Sequence, residues 1–491
     1  MRDIHRITLS LFVVGIFCLW PGDGILADLS GGTETGHGDP FSMVFAVFSL
    51  LVLCAILGRY AALKLKQSPV LGELVIGIIV GALVYQFADP TVTIIRHSEL
   101  VGQATATALY KNHSLPEAVK ARLTEAKIPE YQARKILQVF DRPDFPAFLL
   151  LARSIELFAS LGVILLLFMV GLECSLEEMS TMGGRVAGVA VIGMITPFVL
   201  GFGATKFLVP GAGVNVPVFV GATLSATSIG ITSRVFKDLN ALQLNEAQIV
   251  LGAAVIDDVL GLIALAVVTG VATSGQVSLV TLGLILLKAT LFLGSVIFFG
   301  QFLLKRQIAF FSKLDAANLR LLYPFALLLL FAWLADALGL ATIVGAFAAG
   351  LIIKEEYFPN APGCHFDRLE VRSVIAPLEG AFAPVFFVLM GFQVDVTTFL
   401  EPSVLVTGLV LTLVAMLGKL AAGLGVAPTQ NRWIVGFGLA PRGEVGLIFA
   451  SIGRAIGVLD NQLFSAVIVV VLLTTLLTPP LLTWALSGQG K

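Results

Sequence analysis

The sequence predicts an all-α polytopic protein that crosses a membrane about thirteen times. Its 491 residues are 57% hydrophobic and only 13% charged, and the mean hydropathy is +0.95. Soluble domains are nearer half apolar and a quarter charged. Many apolar runs approach the ~20 residues that a helix needs to cross a bilayer. The four cysteines are scattered and form no CxxC pair, so the sequence indicates neither a metal site nor a disulfide framework.

Residues 1–27 have the composition of a cleaved signal peptide. Basic residues precede a short apolar stretch from Ile7 to Leu19, and a proline and a glycine follow it. The sequence ILA that ends at Ala27 suits a signal-peptidase site. An additional N-terminal transmembrane helix is the alternative, although the apolar stretch is short for that purpose.

The spans begin after a polar, glycine-rich stretch. The first two occupy residues 42–87, at about 42–63 and about 69–87. The other eleven lie within residues 148–486, near 148–173, 184–209, 215–236, 246–271, 277–303, 320–338, 341–354, 373–394, 401–424, 432–456 and 461–486.

A polar insert at 88–146 separates the two groups of spans. Its sequence LPEAVKARLTEAKIPEYQARKILQVF predicts two amphipathic helices that are broken at Pro129. Two interpretations stay open, a solvated cap and a docking or oligomer surface.

Lysine and arginine assign the loops to the two sides of the membrane. One set of loops carries nearly all the positive charge of the short connections, at Arg59, Lys64, Lys66, Arg185, Arg234, Lys237, Lys305, Arg306, Lys313, Arg320, Lys354, Arg368, Arg372 and Arg432. Short positive loops stay in the cytoplasm. Thirteen spans then place the mature N-terminus outside and the C-terminus inside the cell, with the chain in the inner (plasma) membrane. The insert falls outside, and it is too long for its charge to control topology.

Two pairs of spans resemble each other at the same offset along the chain. VLGELVIGII in the second span is similar to IVGAFAAGLI in the ninth, and LLLFMVGLE in the third is similar to VFFVLMGFQ in the tenth. The matched glycines are Gly72 with Gly345, Gly77 with Gly350, and Gly171 with Gly391. An offset of seven spans is odd, so partners cross in opposite directions. This pattern predicts an inverted-topology repeat, as in many secondary transporters.

The repeat also pairs two spans that contain helix-breaking sequence. The fifth span contains TLSATSIGITS, where Thr227 and Ser228 precede Gly230. The twelfth contains GFGLAPRGEVGLIFA, which Pro441 and Gly443 interrupt. Broken helices expose backbone carbonyls and helix-end dipoles that stabilise ions. We therefore expect two broken crossing helices with an ion site between them.

Asp257 and Asp258 are adjacent in the sixth span, AAVIDDVLGLIALAVV. Ionisable residues within a span are functional candidates by default. Neighbouring helix positions are about 100° apart, so the two carboxylates point in different directions and invite different roles. Lys419 in the eleventh span needs a counter-charge, which one aspartate can supply while the other faces a water-filled cavity. A purely structural triad is the alternative, but one lysine cannot neutralise two carboxylates.

These groups suit competition between a proton and a metal ion. A carboxyl group in apolar surroundings holds its proton more tightly and can release it when a cation arrives. Hard cations prefer oxygen ligands. A carboxylate, the hydroxyls of Thr227 and Ser228, backbone carbonyls and water suit Na⁺, Li⁺ or K⁺. Competition for one site in an alternating-access fold predicts antiport. For Arg442 and Glu444 we expect a structural or gating role.

Seven motifs resemble the monovalent cation:proton antiporters of the cation:proton antiporter-2 family. They are LGELVIGIIVG, LGVILLLFMVGLE, LSATSIGITSRVF, LGAAVIDDVLGLI, GLATIVGAFAAGL, APVFFVLMGFQVD and APRGEVGLIFASIG, and they cover nearly the whole membrane region in order. The resemblance implies a homodimer, a core domain beside a dimerisation domain, and elevator-type movement of the site. It implies no resident cofactor, no nucleic-acid partner and no enzymatic activity.

The resemblance also implies roles for individual residues. Asp258 resembles the aspartate that binds cation and proton, and Asp257 resembles the neighbour that pairs with the mid-membrane lysine, here Lys419. Thr227 and Ser228 lie at the crossover of the fifth span. Family members with two aspartates are generally electrogenic sodium/proton exchangers, so we expect electrogenic exchange of protons for Na⁺ or Li⁺.

Three other functions compete with this interpretation. Potassium/proton exchange or potassium efflux uses the same carboxylate chemistry. An intramembrane aspartyl protease requires two aspartates on different helices that share a proton, whereas Asp257 and Asp258 are adjacent on one helix. A non-transporting sensor with a transporter-like fold is the third.

Overall fold

The computed structural model describes most of the chain, and all regular structure in the described residues is helical. The described residues are 41–65, 69–86, 90–96, 119, 130–140, 142, 145–173, 183–274, 279–313, 318–340, 342–358, 370–392 and 401–487. For some residues within helices, Asp258 and Glu444 among them, the description covers the backbone alone. The expected signal peptide lies outside the described residues.

Eighteen α-helices follow one another in the described residues. They are α1 (Ser42–Lys64), α2 (Pro69–Gln86), α3 (Pro90–Arg96), α4 (Glu130–Phe140), α5 (Phe145–Glu173), α6 (Gly183–Leu208), α7 (Asn215–Ser225), α8 (Ile229–Asp238), α9 (Asn245–Ser274), α10 (Leu279–Phe298), α11 (Leu304–Phe311), α12 (Leu319–Ala337), α13 (Thr342–Ile352), α14 (Val371–Phe392), α15 (Pro402–Leu420), α16 (Arg432–Gly438), α17 (Glu444–Ala455) and α18 (Asn461–Ser487). A π-helical turn at Phe299–Leu303 joins α10 to α11, and 3₁₀ turns follow α13 and α15.

Nine segments of the described residues are long and apolar enough to cross a membrane. The broken pair α7 and α8 counts as one of them. The helix α13 is apolar but has only 11 residues. An all-α membrane fold is therefore confirmed, whereas the number thirteen stays a prediction.

The chain divides into two compact units. One comprises Met1–Ala61, Gly72–Ser160 and Pro384–Asp395, and the other comprises Ala62–Leu71, Leu161–Ala383 and Val396–Lys491. The broken helices and the aspartate pair belong to the second unit.

The insert contributes to the apolar core of the first unit. Val92 and Ile95 of α3 are buried in one cluster with Ile136 and Val139 of α4. Residues of α1, α2, α5 and α14 complete that cluster. The helix α4 begins at Glu130, directly after Pro129, and the other expected amphipathic helix lies outside the described residues apart from residue 119. Part of the insert is therefore packed structure and not only a solvated cap.

The matched glycines form equivalent helix crossings. In the first unit, Gly77 and Gly391 lie against each other's helix backbones, between the second and tenth spans. In the second unit, Gly350 and Gly171 do the same between the ninth and third spans. Replacing each glycine by its sequence match turns the crossing of Gly77 with Gly391 into the crossing of Gly350 with Gly171. A Cβ atom on any of these glycines would overlap backbone atoms of the partner helix, which explains why the repeat is visible as glycines.

A third match extends the same equivalence. Gly72 in the second span lies at the crossing with Gly58 of the first span. Gly345, its match in the ninth span, lies against the backbone of Phe331 in the eighth span. Three matches thus correspond to equivalent contacts, and the inverted-topology repeat is confirmed.

Both predicted breaks are present, and they face each other. The helix α7 ends at Ser225, and extended backbone follows up to Ser228, the N-cap residue of α8. The helix α16 ends at Gly438, and α17 begins only after Gly443. The backbone N–H of Ser228 donates to the carbonyl of Pro441 at 3.0 Å. The two broken helices therefore cross at their extended segments.

Candidate functional site

Asp257 lies buried in α9 with two donors on one carboxylate oxygen. Lys419 Nζ donates to Asp257 Oδ2 at 3.0 Å, and Thr227 Oγ1 donates to the same atom at 2.5 Å. Lys419 is 0% exposed and Asp257 is 4% exposed. A buried charge is stable only when it is paired and hydrogen-bonded, and these contacts meet both conditions. The expected contact between Asp257 and Lys419 is present.

Each partner reaches Asp257 from a place where a helix ends. Thr227 lies in the extended segment between α7 and α8, so its side chain projects from the break. Lys419 is in the last turn of α15, where a positive charge complements the negative end of the helix dipole. The breaks and the ends of helices thus bring the polar groups of the site together.

Asp258 follows Asp257 in the middle of α9. Its contacts lie outside the description of the structure, and its part in ion binding stays a prediction.

Ser228 holds the N-terminus of α8 at the crossover. Its Oγ accepts a hydrogen bond from the backbone N–H of Ile231 at 3.4 Å, as an N-cap residue does. A Cβ atom at position 443 would lie 2.6 Å from Ser228 Oγ, so only glycine fits there. The geometry gives Ser228 a structural role, and its role as an ion ligand stays a prediction.

Arg442 binds the carbonyl ends of both broken helices. Its guanidinium donates to the carbonyl of Leu224 in the last turn of α7, and to those of Leu439 and Ala440 just after α16. Helix C-termini carry partial negative charge, so a buried cation stabilises both ends at once. Its backbone is also tied to α18, because Thr475 Oγ1 donates to the Arg442 carbonyl at 3.0 Å. These contacts suit a structural role for Arg442, and its part in gating stays a prediction. Glu444 is the first residue of α17, and its structural or gating role stays a prediction.

Sequence reasoning missed a buried ion cluster at the end of α8. Glu379 of α14 accepts from Arg234 Nη1 at 2.6 Å and from Lys237 Nζ at 2.7 Å. Arg234 also approaches Asp238, with Nε 3.2 Å from Oδ1. Arg234 and Lys237 were assigned to a loop from their charge, but α8 continues to Asp238. The signal that could have identified Glu379 is that it is a lone acidic residue inside the apolar tenth span.

Two further acidic residues have partners in the first unit. Glu73 is 0% exposed and lies 3.3 Å from Arg59 Nη1 on the preceding helix. Glu156 accepts from Arg153 Nη1 at 2.7 Å, one turn away on the same helix. The first pair joins two neighbouring helices, whereas the second lies within one helix.

Comparisons with known proteins agree with this architecture. The family model described as sodium/hydrogen exchanger, transmembrane, matches residues 48–488. The high-affinity Na⁺/H⁺ antiporter NhaS3 of Synechocystis is 33% identical in an alignment of 487 positions, which covers 96% of this chain and 95% of NhaS3. The Na⁺/H⁺-K⁺ antiporter GerN of Bacillus cereus is 33% identical over 339 residues, which are 68% of this chain and 84% of GerN.

A solved structure supports the fold independently. The sodium proton antiporter MjNhaP1 from Methanocaldococcus jannaschii, solved at pH 8, superimposes with a TM-score of 0.53 at 16% sequence identity. The match covers 92% of this chain and all of the MjNhaP1 chain. Because the family model and a full-length relative both match, the chain belongs to the transmembrane sodium/hydrogen exchanger family.

Proposed function

We propose that this protein exchanges protons for Na⁺ or Li⁺ across the membrane, with Asp258 as the group for which cation and proton compete. The observation that carries the proposal is the buried pair of Asp257 and Lys419 beside the crossing of two broken helices. The family is one of transporters and not of enzymes, and the relatives NhaS3 and GerN are named Na⁺/H⁺ antiporters. Proton-coupled antiport of a monovalent cation follows.

The chemistry assigns different work to the two aspartates. Asp258 releases its proton when the cation binds, and the hydroxyls of Thr227 and Ser228 with crossover carbonyls complete an oxygen shell. Asp257 holds Lys419 in the unloaded carrier and releases it when Thr227 turns towards the ion. Electrogenic exchange requires more than one proton to cross for each Na⁺, because a charge that stays on Lys419 returns in every cycle and moves no net charge.

The proposal extends to the oligomeric state of the carrier, its membrane and its orientation. The chain works as a homodimer in the lipid bilayer of the plasma membrane, with its N-terminus outside and its C-terminus in the cytoplasm. It needs no resident cofactor, and the core moves by an elevator-type shift. The inverted repeat supports alternating access, because two equivalent halves can exchange conformations.

Proton flux in proteoliposomes tests the central assignment. Purified protein is reconstituted, Na⁺, Li⁺ or K⁺ is added outside, and internal pH is followed with a dye. Asp258→Asn is expected to abolish cation-driven proton movement. Glu401→Gln, at an exposed position before α15, is the matched control and should exchange like the wild type. Full exchange by Asp258→Asn would contradict the mechanism.

A double-mutant cycle tests the pairing of Asp257 with Lys419. Both single variants, Asp257→Asn and Lys419→Ala, should impair exchange or reduce the current recorded on solid-supported membranes. The loss of exchange activity in the double variant, expressed as a free energy, should be smaller than the sum of the two single losses, because the groups share one interaction. Simple additivity would show that the pairing has no part in transport.

Potassium/proton exchange is the second candidate, and one observation favours it. The name of GerN includes K⁺ beside Na⁺ and H⁺. Equal proton movement on adding K⁺ and Na⁺ would replace the sodium assignment, whereas a response to Na⁺ and Li⁺ alone would support it.

A further inference from the structure

We propose that the backbone carbonyl of Gly193 accepts the Lys419 ammonium when Asp257 releases it, and that Pro197 makes this carbonyl available. Gly193 is then a positioning residue for the transport cycle. The inference rests on the proposed function, because it needs a step in which Asp257 and Lys419 separate.

Pro197 breaks the hydrogen-bond ladder of α6 at one place. It lies inside the helix, and proline has no backbone N–H. In an α-helix, the N–H of residue 197 would bond to the carbonyl of residue 193. The proline ring also crowds that carbonyl and tilts it away from the helix axis. The carbonyl of Gly193 therefore lacks its usual donor.

Contacts of α6 with α15 place this carbonyl beside Lys419. Gly193 and Pro197 are both buried, one helical turn apart on one face of α6. A Cβ atom on Gly418 would lie 2.5 Å from Pro197 Cα, so the two helices touch at the residue before Lys419. A Cβ atom on Gly193 would lie 3.8 Å from Lys419 Nζ. The ammonium thus lies next to the segment from which the carbonyl projects.

The buried ammonium needs such an acceptor. Lys419 is 0% exposed and donates to Asp257 Oδ2. A buried charge that loses its partner is strongly destabilised. The ammonium has three donors, and a neutral carbonyl can accept one without holding the charge as a carboxylate would. Glycine at position 193 leaves the approach open, because no side chain stands between the carbonyl and Lys419.

Restoring the missing N–H tests the inference. In Pro197→Ala, the new N–H donates to the Gly193 carbonyl, which is then no longer available to Lys419. We expect the KM for Na⁺ to rise about tenfold while kcat stays within about twofold, because the loss of a hydrogen bond to a charge disfavours the cation-loaded state. Pro197→Gly restores the N–H without stiffening the helix and should give the same rise in KM.

Pro324→Ala is the matched control, since Pro324 lies inside α12 in the same way. Its KM should stay within about twofold of the wild type. An unchanged KM in both Pro197 variants, or an equal rise in Pro324→Ala, would overturn the inference. If a Pro197 variant does not turn over, Na⁺ binding to the purified protein by calorimetry decides, with the same tenfold loss expected.

The two proposals fail in different ways. If Asp258→Asn still exchanges, the proposed site is wrong. If Asp258→Asn is inactive while both Pro197 variants keep the wild-type KM, only the role of Gly193 is wrong.

Discussion

Replacing Thr227 with valine removes a hydrogen bond at the centre of the site and leaves the shape of the side chain nearly unchanged. Thr227 Oγ1 donates to Asp257 Oδ2 at 2.5 Å, and both residues are buried, with exposed fractions of 2% and 4%. Water therefore cannot replace the lost donor. Asp257 would keep Lys419 as its donor but would lose the group that orients its carboxylate.

The geometry sets the expected size of the effect. Hydrogen bonds to charged groups contribute about 1.5–3 kcal/mol, and hydroxyl–carboxylate bonds of about 2.5–2.7 Å are among the strong ones. A loss of about 2–3 kcal/mol corresponds to a fall of about 30-fold to 150-fold in kcat/KM. Thr227→Ser keeps the hydroxyl and should stay within about fourfold of the wild type, because it loses one methyl group worth about 0.8 kcal/mol.

Na⁺-driven proton flux in proteoliposomes measures both variants under the same conditions. The valine variant is expected to fold, since valine and threonine are close in volume and the site is otherwise unchanged. The reasoning is refuted if Thr227→Val keeps more than a third of the wild-type kcat/KM. It is also refuted if the serine and valine variants lose the same amount.

Three further changes test other parts of the structure. Glu379→Gln should destabilise the protein by up to about 3–5 kcal/mol, because the buried Arg234 loses its carboxylate partner on α14; thermal unfolding in detergent checks this, and a melting temperature equal to that of the control Glu401→Gln would contradict it. Gly77→Ala and Gly350→Ala should each cost about 1–3 kcal/mol, because the added Cβ overlaps backbone atoms, whereas Gly188→Ala points into open space and should melt like the wild type. Burial raises the pKa of Glu355, after α13, above its ordinary value of 4.5, although the Val371 N–H and Arg320 both lower it. The folded chain then binds this proton more tightly than the unfolded chain does, so the stability from Glu355 falls as pH rises above 4.5. Glu355→Gln should flatten the slope of melting temperature against pH in that range, and an unchanged slope would show that another group titrates.

Composition and local pattern were sufficient for the fold class and for the position of the breaks. Apolar runs near 20 residues predict membrane helices because the thickness of the bilayer sets their length. Pro441 and Gly443 interrupt the twelfth span by their own backbone chemistry. That break could therefore be predicted without knowing which helices pack around it. The glycine matches revealed the repeat because close helix crossings admit no side chain.

The amino-acid pattern was enough to predict an all-α membrane protein with an inverted repeat, two broken helices and an aspartate pair in an apolar span. Which distant groups meet became known from the packing of the helices. Asp257 and Lys419 are 162 residues apart in the chain, and Arg442 and Leu224 are 218 apart. Helical periodicity shows which residues share a face of one helix, but not which faces of two helices pack together. Glu379 illustrates this limit, because its charge was visible in the sequence while its partners on α8 became apparent only when the helices were packed.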